Sequence, residues 1–184
     1  QIGEGVHMVI PCGSTGEAVT LAPAEHRRVV EITVEQVNGR VPVIAGAGSN
    51  DTQRAIATSR EMKAIGATHL LHVTPMYNKP PQRAMIAHFR AIADACDLPI
   101  VLYNVPGRTV ADMSTETAIR LAKVPGIVGI KDATGNLDRG IQLIAGLEEA
   151  GCKDFAVYSG DDPTALLLMM MGNLAGIYMM QTLY

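Results

Sequence analysis

Short apolar runs alternate with amphipathic stretches along the whole chain, which is the signature of βα units. The expected strands are residues 6–11, 42–45, 69–74, 100–103, 127–131, 156–159 and 175–179. They are rich in Val, Ile and Leu and too continuous for half-exposed strands, so they read as parallel strands buried on both faces. Helices with local start and stop signals lie between them. Pro23 suits a first helical position ahead of Val29, Ile32 and Val37. Asp51 can cap a helix that Gly66 ends, with Ile56, Met62 and Ile65 as its apolar positions. Met85, Phe89, Ile92 and Cys96 recur at helical spacing before Leu98-Pro99 returns the chain to the sheet. Ser114 can cap the helix of Ile119 and Leu121, and Ile141, Ile144 and Leu147 form the next stripe, closed by Gly151. Asp161, Asp162 and Pro163 signal the start of a helix running through Met171, whose methionines 169–171 read as core filling.

The expectation is an α/β fold with one domain over residues 1–184. Polar chemistry follows nearly every strand: CGSTGE, GAGSND, TPMYN, YNVPGRT, KDATGN and SGDD. In a (β/α)8 TIM barrel such positions converge on one mouth. In a doubly wound sheet they would be spread along an edge, with only the switch point useful. Convergence favours the barrel. Because Gln1-Ile2-Gly3-Glu4-Gly5 reads as a helix ending, the barrel is expected to be truncated, lacking its first strand and helix and its last helix.

Composition narrows the classes. Hydrophobic residues at 48% and charged residues at 18% describe an ordinary globular protein, and a net charge of −3 provides no field for nucleic acid. Cys12, Cys96 and Cys152 are odd in number with no CxxC pairing, and read as buried thiols of a reducing, cytoplasmic compartment. Residues 165–184 carry no charge over the length of a membrane span. Gly172, Asn173, Gly176, Gln181 and Thr182 interrupt them, as a buried helix, a stop and a buried strand would. No metal site is expected. His69 and His72 are three apart on a strand and so face opposite sides, and His7, His26 and His88 lack partners at ligand spacing.

Lys131 is the most informative residue. It ends an apolar strand, where a lysine is costly unless its amine is used or paired. Desolvation there would give a neutral nucleophile, although a strand-end lysine can also snorkel to solvent. Tyr103 ends the preceding strand and Arg108 follows it, which adds a proton shuttle and a fork for a carboxylate. The glycines of Gly13-Ser14-Thr15-Gly16-Glu17 allow a tight turn presenting two hydroxyls and backbone N–H groups to an anion.

CGSTGE, VTPMYNKP, LYNVPGRT, GIKDATGN and YSGDD, in this order, resemble the dihydrodipicolinate synthase and N-acetylneuraminate lyase superfamily across nearly the whole chain. The resemblance implies a Schiff-base aldolase, with pyruvate as an imine on Lys131 and Tyr103 as proton donor. It implies that Ser14 and Tyr77 complete a proton relay and that Thr15, Gly160 and Ile177 face pyruvate. Tyr77 would reach in from a neighbouring subunit, so a homodimer or tetramer is implied. YNVPGRT and KDATGN are similar to the synthases of the superfamily, in which Arg108 would bind the carboxylate of L-aspartate 4-semialdehyde. The product would be 4-hydroxy-tetrahydrodipicolinate, on the route to lysine, with no metal or organic cofactor. The family's C-terminal helical domain is not found, and Tyr178 stands where it has a small serine. At the cleft where some members bind lysine, the matching positions are Ala18, Pro23, His26, Asn50, Arg54 and Met76, and Arg54 replaces a glutamate. Two other readings stay open: a pyruvate lyase acting on a sugar acid, and a truncated, non-catalytic remnant.

Overall fold

The computed structural model describes residues 1–171 and 175–176. Six parallel strands form one sheet in the order β1 (Ile44–Gly46), β2 (His69–Val73), β3 (Ile100–Asn104), β4 (Ile127–Asp132), β5 (Ala156–Ser159) and β6 (Ala175–Gly176). Every sequence neighbour is also a spatial neighbour. An open doubly wound sheet would reverse direction at a switch point, whereas this unbroken order is that of a barrel wall.

The expected strand over residues 6–11 is reduced to a parallel bridge between Val9 and Val43. Its hydrogen bonds are Val9 N–H to the Pro42 carbonyl, Ile44 N–H to the Val9 carbonyl and Gly46 N–H to the Pro11 carbonyl, at 3.0, 2.9 and 3.0 Å. Direction and register are those of a strand beside β1. Pro11 has no N–H to extend the ladder and Cys12 turns left-handed at φ 54°, so pairing stops. Of the last expected strand, residues 177–179 and with them Ile177 lie outside the described residues.

The helices are α1 (Pro23–Val37), α2 (Thr52–Ile65), α3 (Gln82–Ala95), α4 (Pro106–Thr109), α5 (Thr115–Leu121), α6 (Leu137–Glu149) and α7 (Asp162–Met170). The short α4 interrupts what reads as loop in YNVPGRT, because Pro106 fixes a helical φ at its first position. Two expected caps are in place, Asp51 accepting from Gln53 and Arg54 N–H and Ser114 from Thr117 N–H, and Asn136, not anticipated, accepts from Arg139 N–H. Residues 2–4 form a 3-10 turn that Gly5 ends at φ 88°.

Period-two alternation divides the strands between two apolar layers. Leu70, Leu102 and Ile130 pack outward with Met62, Phe89, Ile92 and Leu143 of the helices. Leu71, Val73, Val101 and Tyr103 form a separate inner cluster, against which Tyr158 and Ala133 also pack. Two expectations change here. Met169, Met170 and Met171 are exposed, because only Ala165 and Leu168 of α7 reach the interior. Cys152 is half-buried, while Cys12 and Cys96 are buried as expected, and all three thiols are free. Among the described residues no helix is long and apolar enough to cross a membrane, and no cluster of His, Cys, Asp and Glu could hold a metal ion.

Candidate active site

Ile130 packs outward, so the next residue on β4 must point inward, and that residue is Lys131. Register places it between Tyr103 on β3 and Tyr158 on β5. Lys131 is 6% exposed and its Nζ lies 4.6 Å from the centroid of the Tyr103 ring. Burial lowers its pKa to about 8; the charge of Asp162 opposes that fall and the charge of Arg108 adds to it. A substantial fraction of the amine is therefore neutral near physiological pH, as a nucleophile requires. Tyr103 is 3% exposed, and burial raises its pKa while the Arg108 charge pulls it back down. It stays a protonated phenol at neutral pH, available as a donor.

Gly160 lies against the lysine stem. Its N–H donates to the Asp132 carbonyl at 2.7 Å. A Cβ on it would stand 2.6 Å from Lys131 Cε and 2.9 Å from Ala133 Cβ, both under any tolerated contact. The glycine leaves room for the lysine's own path.

Ser14 and Tyr103 line one cavity of about 230 Å³, together with Cys12, Gly13 and Val73. Ser14 is half-buried in its turn, while Thr15 beside it is exposed. Lys131, Arg108 and Thr15 do not line that cavity. Arg108 is exposed on α4, near enough for its charge to bear on both Tyr103 and Lys131. Tyr77 is 87% exposed at φ 71° and stands apart from the inward row of its own chain. Its loop is held firmly, however. Tyr77 N–H donates to the Thr109 carbonyl at 3.2 Å, and the side chains of Asn50 and Asn78 bridge at 3.2 Å. Buried Thr74 donates to Thr109 Oγ1 at 3.1 Å, tying this loop to the turn of Arg108.

Ala18, Pro23, His26, Asn50, Arg54 and Met76 line the same cavity as Ser14 and Tyr103, so the cleft inferred from separate stretches of sequence is one place in the fold. Sequence reading missed Tyr158, Asp162 and the pair Asp132–Arg139. Tyr158 could have been found from strand alternation, since it lies two before Gly160 on an inward position. The field of Asp162 depends on where α7 begins in space, which no local pattern encodes.

The chain matches the dihydrodipicolinate synthetase family over residues 1–181. It is 54% identical over 172 residues to a 4-hydroxy-tetrahydrodipicolinate synthase of Polynucleobacter asymbioticus, covering 94% of this chain and 56% of that protein. The same enzyme from Methylibium petroleiphilum is 55% identical over 172 residues, with 94% and 57% covered. Among solved structures, the chloride-inhibited dihydrodipicolinate synthase from Acinetobacter baumannii complexed with pyruvate aligns at a TM-score of 0.91 and 47% identity, covering 97% of this chain and 60% of that one. The synthase from Thermotoga maritima aligns at a TM-score of 0.92 and 37% identity, covering 97% and 60%. The chain thus spans 56–60% of the length of these relatives.

Proposed function

Because the chain belongs to the dihydrodipicolinate synthetase family, we propose that the whole protein condenses pyruvate with L-aspartate 4-semialdehyde through an imine on Lys131, yielding 4-hydroxy-tetrahydrodipicolinate for lysine biosynthesis. The observation that carries this reading is the buried Lys131 amine, its pKa lowered to about 8, beside the neutral phenol of Tyr103.

The neutral amine attacks the pyruvate ketone, and loss of water leaves the imine. The imine nitrogen then acts as the electron sink: a methyl proton departs and an enamine forms. The enamine carbon attacks the aldehyde of the second substrate, whose oxygen takes up a proton and becomes the product hydroxyl. The imine on Lys131 is restored, and the substrate's own amino group then attacks the imine carbon, closing the ring and expelling the Lys131 amine. Tyr103 is the donor in this scheme, with Ser14 and Tyr77 relaying protons to and from it. Thr15 and Gly160 are assigned to pyruvate in this scheme, Ile177 is assigned to it by the resemblance alone, and Arg108 takes the carboxylate of the aldehyde as a bidentate partner. The lysine itself supplies the chemistry for which other enzymes use a cofactor.

A homodimer or tetramer is part of the proposal. Tyr77 stands exposed on a loop fixed by hydrogen bonds, a geometry suited to completing a neighbour's site. A cytoplasmic location belongs to the same reading. In the cleft, Arg54 presents a cation where a lysine ammonium would have to sit, so feedback inhibition by lysine is not expected.

Sodium borohydride with pyruvate tests the central step. A reduced adduct on Lys131, located by mass spectrometry of peptides, is the expected result. An adduct confined to other lysines of the folded protein overturns it. Assaying aspartate semialdehyde against sialic acid separates the synthase from a sugar-acid lyase.

A further inference from the structure

A buried ion pair lies directly behind Lys131 and reaches both halves of the proposed site. Asp132 follows Lys131 on β4, so its side chain leaves on the opposite, helix-facing side. One carboxylate oxygen accepts from Arg139 Nε at 2.8 Å, and the other accepts from the Thr134 N–H at 3.0 Å and the Thr134 hydroxyl at 2.6 Å. The side chains of Arg139 and Asp132 are only 12% and 9% exposed. A second guanidinium nitrogen of Arg139 donates to the Met113 carbonyl. Met113 N–H donates to Asn104 Oδ1 at 3.0 Å, and Asn104 Nδ2 donates to Asp112 Oδ1 at 2.9 Å. Residues 110–113 are the return from α4, which carries Arg108, and Thr109 Oγ1 holds the Ala111 carbonyl at 2.9 Å. One guanidinium, rooted in the first turn of α6, therefore joins the residue after Lys131 to the segment after Arg108.

Such a pair is weak evidence for stability, since apolar replacements of buried ion pairs are often neutral or better. What a planar fork supplies is fixed geometry between the groups it bridges. We propose that Asp132 and Arg139 are positioning residues that set the Lys131 amine against the Arg108 guanidinium, and so match the imine to the carboxylate of the incoming aldehyde. The proposal rests on the roles given above to Lys131 and Arg108.

The test compares Arg139→Lys with the unaltered whole protein. Lysine keeps a cation for Asp132 but has no planar fork to hold the Met113 carbonyl at the same time. Loosening that link should raise the KM for aspartate semialdehyde about tenfold, while the rate of borohydride-trapped pyruvate adduct on Lys131 changes by less than about twofold. Asp132→Asn, which keeps the shape and loses the charge, should give the same split and serves if Arg139→Lys does not fold. Unchanged KM values for both substrates overturn the proposal. So does a fall in both activities that follows only the folded fraction measured by circular dichroism. Absence of any adduct on Lys131 in the unaltered protein removes the imine premise instead, and this proposal with it.

Discussion

At the residue scale, Lys131 owes its lowered pKa to burial. Its pKa of about 8, against an ordinary 10.5, means that the neutral amine becomes the majority form above about pH 8. Trapping of pyruvate should therefore rise with pH below 8 and level off above it, as followed by adduct yield at fixed short times. A rate still climbing beyond pH 9 would mean that the amine is solvated and ordinary. Gly160 gives a sharper steric test. Its Cβ would lie 2.6 Å from Lys131 Cε, so Gly160→Ala must displace the lysine stem. Overpacking of this kind costs about 1–3 kcal/mol of stability, and adduct formation should fall more steeply than stability does. Arg108 is exposed and free to meet a ligand, so Arg108→Ala should raise the KM for the aldehyde about tenfold or more with pyruvate little affected, the effect of losing a charge-assisted pair. Equal effects on both substrates would make it a structural arginine.

At the element scale, β2 carries a histidine on its helix-facing side. His72 is fully buried against α2, and its Nε2 lies 3.1 Å from Ser59 Oγ. The Ser59 hydroxyl already donates to the Ala55 carbonyl at 2.7 Å, so it accepts from His72 and Nε2 must carry the proton. Nδ1 has no partner among the described residues, and neither does His88 Nε2 on α3. Burial, and then the neighbouring His88, hold the His72 pKa down at about 3. The unfolded chain takes up a proton near pH 6.5, whereas the native one refuses it until about 3. The contribution to stability is complete above pH 6.5 and is lost as pH falls from there towards 3, at about 1.4 kcal/mol per unit. Urea unfolding at pH 7 and pH 4.5 should show this loss, and His72→Gln, which keeps a donor for Ser59, should reduce it. An unchanged difference would place acid sensitivity elsewhere.

At the scale of the whole molecule, the exposed Tyr77, on a loop held by hydrogen bonds, is the residue through which the proposed site would depend on a neighbouring subunit. If Tyr77 serves a neighbour's Lys131, mixing inactive Tyr77→Phe and Lys131→Ala proteins should restore up to about a quarter of full activity, since half the random dimers then hold one complete site. No recovery after verified subunit exchange would keep Tyr77 out of the mechanism. The whole protein should also remain active in millimolar lysine, because Arg54 would repel the ammonium in a partly enclosed cleft. Inhibition below that range in a steady-state titration would show that the cleft still receives lysine.

The sequence by itself determined the alternation of elements, the caps at Asp51 and Ser114, and the candidacy of Lys131, Tyr103 and Arg108 for the site. These are local facts. A buried strand, a capping side chain and a lysine at the end of an apolar run depend on neighbours within a few residues. Ordered motifs also reached the family, because each records a strand end at the same mouth. Only the tertiary structure decided that β1 to β6 lie in unbroken order, that residues 6–11 pair through a bridge alone, and that Met169–Met171 stay exposed. It alone showed Gly160 clearing the path of Lys131, Asp162 placing a charge near the amine, and Arg139 bridging β4 to the segment after Arg108. The physical reason is range: Gly160 and Asp162 lie 29 and 31 positions from Lys131 and Arg139 lies 26 from Met113, and only sheet register and helix packing bring them together.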